Sequence, residues 1–204
     1  MLNNGNQSCT FNSYKDLTKL PYNVIMTLIN EDNDSSKAFW KLLKYQTVDA
    51  LEEAELSLAE KKALLYQGNG LSQDCSVFLQ PLVGDAVDDC SNVQVRMYRY
   101  MTTPSDLYTS RISFQFDILC NDRLSLVYDE DGLLCERTDL IEYYLLNMLN
   151  GRDIGVGSSF FEFSRQRDNN CRSTLAINNA KNIYGRSLIM SVLLVGTDRE
   201  MECC

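Results

Sequence analysis

Carboxylates and cysteines are the side chains of this sequence that could do chemistry, since the chain contains no histidine. Two groups of carboxylates are closely spaced: Asp85, Asp88 and Asp89 lie within GDAVDDCSN, and a second group occupies residues 129–131. Oxygen ligands of this kind suit a hard cation, but neither group has the spacing or the distal glutamate of an EF-hand loop. We therefore interpret both groups as solvated loop carboxylates and predict no metal site.

The eight cysteines are expected to be reduced thiols. No CxxC pair occurs, so a zinc site would need four thiolates from scattered positions. The first residues lack the basic segment and apolar run that mark a signal peptide. Disulfides are rare in proteins made in the cytosol. No cofactor is predicted.

The sequence shows no pattern typical of an active site. Ser158 and Ser159 follow a glycine, but no GxSxG nucleophile elbow is present. Gly151, Gly155 and Gly157 follow a predicted helix and precede a predicted strand, whereas a phosphate-binding loop follows a strand and opens a helix. The residues therefore predict a protein that is not an enzyme.

Charge is unevenly distributed along the chain. The net charge of −9 argues against nonspecific binding to DNA or to an anionic membrane. Residues 1–136 contain 11 Lys and Arg against 20 Asp and Glu, whereas residues 137–186 contain 7 against 5. The basic side chains near the end of the chain are either solvated or form an interface with an acidic neighbour. These candidate interface residues are Arg152, Arg165, Arg167, Arg172 and Arg186.

Trp40 is a further candidate for a contact with another protein. It follows Phe39 on a predicted short helix, and tryptophan often anchors the centre of a protein interface. Burial of Trp40 within its own chain is the alternative.

The N-terminal part of the chain, residues 11–67, is predicted to form short helices. Pro21 suits the first turn of one helix, and residues 34–36 precede another with an apolar stripe. Ser57 and Glu60 have the spacing of a capping box. The stretch Gly68-Asn69-Gly70 then predicts a boundary between a helical region, 1–70, and an α+β domain, 71–198, with a flexible tail at 199–204.

Beyond that boundary the apolar period changes to two. Residues 111–120 alternate as a half-buried strand should, and residues 93–101 are expected to pair with them antiparallel. Thr138 is predicted to cap an amphipathic helix, and strands follow at 159–165 and at the end of the chain. The predicted fold class is α+β: a mainly antiparallel sheet with one helix on a face, plus an N-terminal region of short helices.

The last predicted strand, Ser187–Val195, is apolar on both sides. One side should lie under the amphipathic helix, and the other should be covered by the N-terminal helices or by a neighbouring subunit. The helix is expected to face Phe114, Phe116 and either Ile189 or Val192 through its apolar residues Ile141, Leu145 and Met148.

The order of these elements resembles that of the tail-terminator and neck-ring proteins of tailed bacteriophages. The likeness covers roughly residues 75–196: VFLQPLV, two antiparallel strands, a helix ending in LNGRDIGVG, a FFEF strand and a final IYGRSLIMSVLLV strand. In that family a sheet with a helix on its face forms rings between portal and tail. The resemblance implies a structural virion protein, made in the host cytoplasm, that binds copies of itself and the portal or adjacent ring proteins.

Some of the excess acidic side chains would then line a channel for DNA, because negative charge repels the DNA phosphates from the channel wall. Asp85, Asp88 and Asp89 are the candidate channel-facing residues, and neither specific nucleic-acid binding nor membrane binding is expected. Two alternatives remain: a cytosolic adaptor or inhibitor that binds one protein partner, and, with less support, an enzyme that uses carboxylates and a metal.

Overall fold

The computed structural model describes residues 18–68, 74–80, 93–104, 109–155, 160–163, 172–178 and 183–195, with the backbone alone described for Thr109, residues 172–178 and Val195. The fold is α+β, as predicted. The described helices are α1 (Leu20–Asn30), α2 (Asp34–Lys44), α3 (Leu58–Ala63) and α4 (Arg137–Leu149). The strands are β1 (Val77–Phe78), β2 (Gln94–Pro104), β3 (Thr109–Asn121), β4 (Leu126–Tyr128), β5 (Leu134–Glu136), β6 (Glu162–Phe163), β7 (Arg172–Asn178) and β8 (Ile183–Val195).

Six of these strands form one sheet in the order β1-β2-β3-β8-β6, with β7 also paired to β8. Every pair is antiparallel except β1 with β2. β3 and β8 are each 13 residues long and pair over their full lengths, so they form the centre of the sheet. The remaining two strands, β4 and β5, form a separate antiparallel hairpin.

Helices cover one face of the sheet and enclose the core. Alternate residues of β8, from Leu188 to Leu194, point to this face together with Phe114 and Phe116 of β3. Ile141, Leu145 and Met148 of α4 are fully buried in the same cluster. The predicted packing is therefore observed, with Val192 as the partner from the last strand. Ile189 lies on the opposite face, because it alternates with Leu188 and Met190.

The N-terminal helices belong to the same core as the sheet. Buried side chains of α1 and α2 join the cluster that contains α4 and the covered face of the strands. Among the described residues, these helices extend the layer formed by α4 and do not cover the second face of β8. That second face carries Ser187 and Ser191, both buried, and the half-buried side chains of Ile189 and Leu193.

Helix ends follow some of the local signals and depart from others. Residues 34–36 were predicted to precede a helix, but α2 already begins at Asp34 and Asn33 is its N-cap. Ser57 and Glu60 form the predicted capping box, and Pro21 lies in the first turn of α1. Thr138 was predicted to cap the long helix, but α4 already begins at Arg137. Gly151 ends that helix with a φ of 77°, a conformation that glycine adopts without strain.

The close approach of β8 to β3 explains why the YGR sequence of the last strand contains a glycine, Gly185. Its backbone lies so close to β3 that a Cβ atom would stand 2.1 Å from the carbonyl oxygen of Ile118 and 2.8 Å from Leu119 Cδ2. Only glycine fits this approach of two backbones.

Candidate functional site

The second face of the sheet carries a hydrogen-bonded polar cluster. The hydroxyl of Tyr98 donates to Asp117 Oδ2 at 2.6 Å, and Gln115 Nε2 donates to Asp117 Oδ1 at 2.6 Å. The three residues come from the paired strands β2 and β3. Asp117 is almost fully buried, so these two bonds compensate for its lost hydration.

This cluster favours a structural role over a catalytic one. Burial and the neighbouring Asp117 carboxylate raise the pKa of Tyr98 far above its usual value. The phenol therefore remains a proton donor at neutral pH and cannot act as a base. Further along β3, Arg111 Nη1 donates to Ser191 Oγ at 3.1 Å and ties this face to β8.

Arg137 is a buried cation that sequence reasoning missed. Its guanidinium donates to four backbone carbonyl oxygens: those of Leu124 at 2.7 Å, Leu42 and Tyr45 at 2.9 Å, and Thr47 at 2.6 Å. Burial lowers its pKa from the usual value.

Two of these carbonyls follow or close the last turn of α2, where a cation is favourable. Arg137 thus joins the N-terminal helices to α4, the helix on the sheet.

Arg152 and Arg186 are engaged within the chain. Arg152 Nη2 lies 2.6 Å from Glu31 Oε1 and so connects the loop after α4 to the end of α1. Arg186 Nη2 lies 3.2 Å from Glu136 Oε2, and its Nε lies 2.6 Å from Asp139 Oδ1. Both carboxylates lie at the start of α4, where the helix dipole favours negative charge. The Arg186 contacts link the start of α4 to β8 of the sheet.

Trp40 lies inside the chain. It is fully buried, its Nε1 donates to the carbonyl oxygen of Leu28 at 3.1 Å, and its ring meets that of Phe39 edge to face. Of the two possibilities that the sequence left open for Trp40, the structure therefore shows burial, and the interface role is corrected. The physical reason is the packing of α2 against α1.

The other predicted site residues lie outside the described residues or have only their backbone described. Asp85, Asp88 and Asp89 fall in residues 81–92, and Arg165 and Arg167 fall in residues 164–171, which lie outside the described residues. Arg172 begins β7, and only its backbone is described. The channel role of the three aspartates and the interface role of Arg165, Arg167 and Arg172 stay predictions.

The described residues offer few groups for metal binding or thiol chemistry. Within the described ranges, no group of three or more His, Cys, Asp or Glu is arranged to hold a metal ion. Cys75, Cys120 and Cys135 lie in those ranges, and none of the three forms a disulfide in the structure. Burial raises the pKa of the Cys75 and Cys135 thiols, which disfavours the reactive thiolate.

Two depressions in the described part of the chain are shallow and polar. One depression of about 220 Å³ lies beside α2, where Lys37 Nζ pairs with Glu55 Oε1 at 3.1 Å. Another, of about 300 Å³, lies between α1 and Ile154. None of the helices in the described part of the chain is long and apolar enough to cross a membrane.

The β4–β5 hairpin exposes apolar side chains. Tyr128 pairs with Leu134, and both are largely exposed, as are Leu126 and Leu133. Sequence reasoning missed β5. The signal was the dipeptide Leu133-Leu134 directly after the turn glycine, Gly132, which has a φ of 75°.

Fold and surface together define an α+β protein whose sheet has one helix-covered face, one hydrogen-bonded polar face and an exposed hairpin at one end. The chain belongs to the YomW family, which matches residues 36–192. This is a phage-derived family. The match extends from α2 to β8 and so includes the second N-terminal helix as well as the sheet. No curated protein matches the chain.

Proposed function

We propose that the protein is a structural component of the phage particle, located at the neck or head–tail connector, where it assembles without catalysis as a homomeric ring around the DNA. The observation that carries this proposal is the fold of a phage-derived chain. Two 13-residue strands pair over their full lengths beneath a single long helix, in the element order expected for a ring-forming neck protein. The net charge of −9 supports a channel that repels DNA phosphates.

Contacts within the chain support a rigid subunit. Arg137, Arg152 and Arg186 each join elements that are distant in sequence. A ring subunit must keep the geometry of its two contact surfaces, because a small change in their relative orientation prevents closure. The proposed partners are therefore other copies of the chain and the ring proteins above and below it.

The test is the composition of purified particles. Phage particles banded on a density gradient should contain the protein at a fixed copy number relative to the portal protein, as measured by quantitative mass spectrometry. A neck location predicts that antibody labelling places it at the junction between head and tail in electron micrographs. Absence of the protein from purified particles would overturn the proposal.

An adaptor or inhibitor that binds a single protein partner is the second candidate. The observation that favours it is the exposed apolar hairpin, since such surfaces mark protein interaction sites. In that case the protein should be abundant in infected cells and missing from particles, and a one-to-one complex should be recovered from the cells. The same particle analysis therefore separates the two candidates.

A further inference from the structure

The outward face of the β4–β5 hairpin is apolar. Leu126 and Tyr128 alternate along β4, and Leu134 of β5 pairs with Tyr128, so these three side chains are neighbours on one face. They form the hairpin patch and are 47%, 41% and 54% exposed. Val127 points to the other face and is fully buried. A strand with one face in water normally carries polar side chains there, so the hairpin patch is suited to being covered by a partner.

The hairpin patch is fixed in place by backbone contacts. Arg137 Nε donates to the carbonyl oxygen of Leu124, just before β4, and Arg137 Nη2 donates to that of Thr47. The carbonyl oxygen of Val48 accepts from the backbone N–H of Tyr128 at 2.9 Å, so the segment after α2 runs beside β4. A surface that already has its bound shape loses little conformational entropy when a partner binds.

Carboxylates surround the hairpin patch. The two segments that meet here, residues 45–55 and 124–136, contain four Asp and Glu each and no Lys or Arg. Of these eight carboxylates, all but that of Asp129 belong to exposed residues. The short 3-10 helix Ala50–Glu52 contacts β4, and Glu136 lies on the same face as the patch, paired with Leu126. The patch is thus an apolar centre with an acidic rim.

Little of this negative charge is neutralised within the described part of the chain. Ion pairs there involve two of the eight carboxylates: Glu55 pairs with Lys37, and Glu136 pairs with Arg186. Uncompensated charge around an apolar centre favours a partner with the opposite charge and disfavours one with the same charge. The rim therefore attracts Lys and Arg side chains, and it repels DNA and anionic membranes.

We propose that the hairpin patch is the docking site for a basic amphipathic segment of another protein. The apolar side chains of that segment cover Leu126, Tyr128 and Leu134, and its Lys and Arg side chains pair with the surrounding carboxylates. Charge complementarity selects this occupant. The assignment goes beyond the proposed ring and does not depend on it, because the composition of particles and the binding of a peptide are separate measurements.

Panning a phage-displayed library of random dodecapeptides against the purified full chain tests the chemistry of the partner. We expect the enriched peptides to combine Lys or Arg with aliphatic or aromatic side chains. Fluorescence anisotropy of an enriched peptide, titrated with the full chain, then gives the dissociation constant. Enrichment of acidic or uncharged peptides, or no enrichment, would overturn the proposal.

A double variant tests the apolar centre. Leu126→Ser with Leu134→Ser removes apolar surface without changing charge, and we expect the dissociation constant of the peptide to rise about tenfold or more, as hot-spot changes do. Tyr22→Ser with Leu58→Ser is the matched control, because these side chains are 61% and 50% exposed and lie on α1 and α3. Thermal melting checks that both variants are folded. A patch variant that binds the peptide as tightly as the unsubstituted chain contradicts the proposal.

A second pair of variants tests the acidic rim and does not alter the apolar side chains. Asp49→Asn with Glu52→Gln removes two charges beside β4, and the dissociation constant should rise about threefold or more. Asp32→Asn with Glu162→Gln removes two exposed charges before α2 and on β6, and it should have little effect. Added salt should weaken binding to the unsubstituted chain more than binding to the rim variant. An equal loss in both charge variants would indicate nonspecific attraction to an acidic chain and would overturn the proposal.

Two other occupants of the hairpin patch give different results. A second copy of the chain would produce a concentration-dependent dimer in sedimentation velocity, and Leu126→Ser with Leu134→Ser would dissociate it. A lipid surface would make the unsubstituted chain, but not that variant, sediment with phosphatidylcholine vesicles. Either result in place of peptide binding rejects a protein segment as the partner.

Discussion

Arg137 Nη2 lies 2.6 Å from the carbonyl oxygen of Thr47, which precedes it by 90 residues in the chain. The contact joins the segment after α2 to the first residue of α4, beneath the surface. A buried charge with only carbonyl partners is stabilising as long as every partner is present, and removing it leaves several acceptors unsatisfied.

Replacing Arg137 should therefore destabilise the whole fold. Arg137→Met fills much of the same volume but removes all the donors, so we expect the free energy of unfolding to fall by about 2–5 kcal/mol. Urea denaturation gives the measurement. Arg123→Met is the control, because Arg123 is exposed on the short turn after β3, and an equal effect of both changes would contradict the role of Arg137.

Gly185→Ala should destabilise the centre of the sheet. The new methyl group would stand too close to the carbonyl oxygen of Ile118, and two paired backbones cannot separate without breaking their ladder. We expect a loss of about 1–3 kcal/mol, the usual range for overpacking. Ser113→Ala on the neighbouring strand adds no atoms and should change stability by less than about 0.5 kcal/mol. A tolerated alanine at 185 would mean that β3 and β8 are farther apart than described.

Leu145→Ala should create a cavity between α4 and the sheet. Leu145 is fully buried, and such a change costs about 2–5 kcal/mol in a packed core. Asn147→Ala on the exposed side of the same helix is the control, and it should leave the melting temperature nearly unchanged. If the two variants have the same melting temperature, α4 does not pack on the sheet through this face.

Alkaline pH should weaken the fold through three tyrosines. Burial is the main cause that raises the pKa values of Tyr98, Tyr144 and Tyr184. In the unfolded chain these phenols ionise near pH 10. A raised pKa in the folded state means that their stabilising contribution is present below about pH 10 and declines as the pH rises above it.

The measurement is phenolate absorbance against pH, followed together with circular dichroism. Ionisation of the three phenols should coincide with unfolding, and replacing all three by phenylalanine should remove that step. Titration of all tyrosines near pH 10 with an intact dichroism spectrum would contradict the prediction.

The acidic segment at 85–89 gives a test of the DNA channel. If Asp85, Asp88 and Asp89 face the channel of a ring, replacing all three by lysine should preserve folding and assembly but hinder the passage of DNA. Infectivity per assembled particle is the measurement, and replacing all three by asparagine, which removes charge without reversing it, should give an intermediate defect. Normal infectivity of the lysine variant would reject the channel role and leave the connector proposal standing.

Local patterns in the sequence determined most of the elements. The alternation in residues 111–120 predicted β3, the Ser57 and Glu60 spacing predicted a capping box, and Asn150-Gly151 predicted the end of α4. These signals depend on contacts between residues a few positions apart, or on one face of one element. They are readable without the rest of the chain.

Long-range packing decided what local patterns could not. The sequence left open whether Trp40 is buried in its own chain or contacts another protein, and only the packing of α2 against α1 shows that it is buried, with its Nε1 donating to the Leu28 carbonyl. In the sequence Arg137 looks like an ordinary surface residue. Only the structure shows that its guanidinium is surrounded by four backbone carbonyl groups.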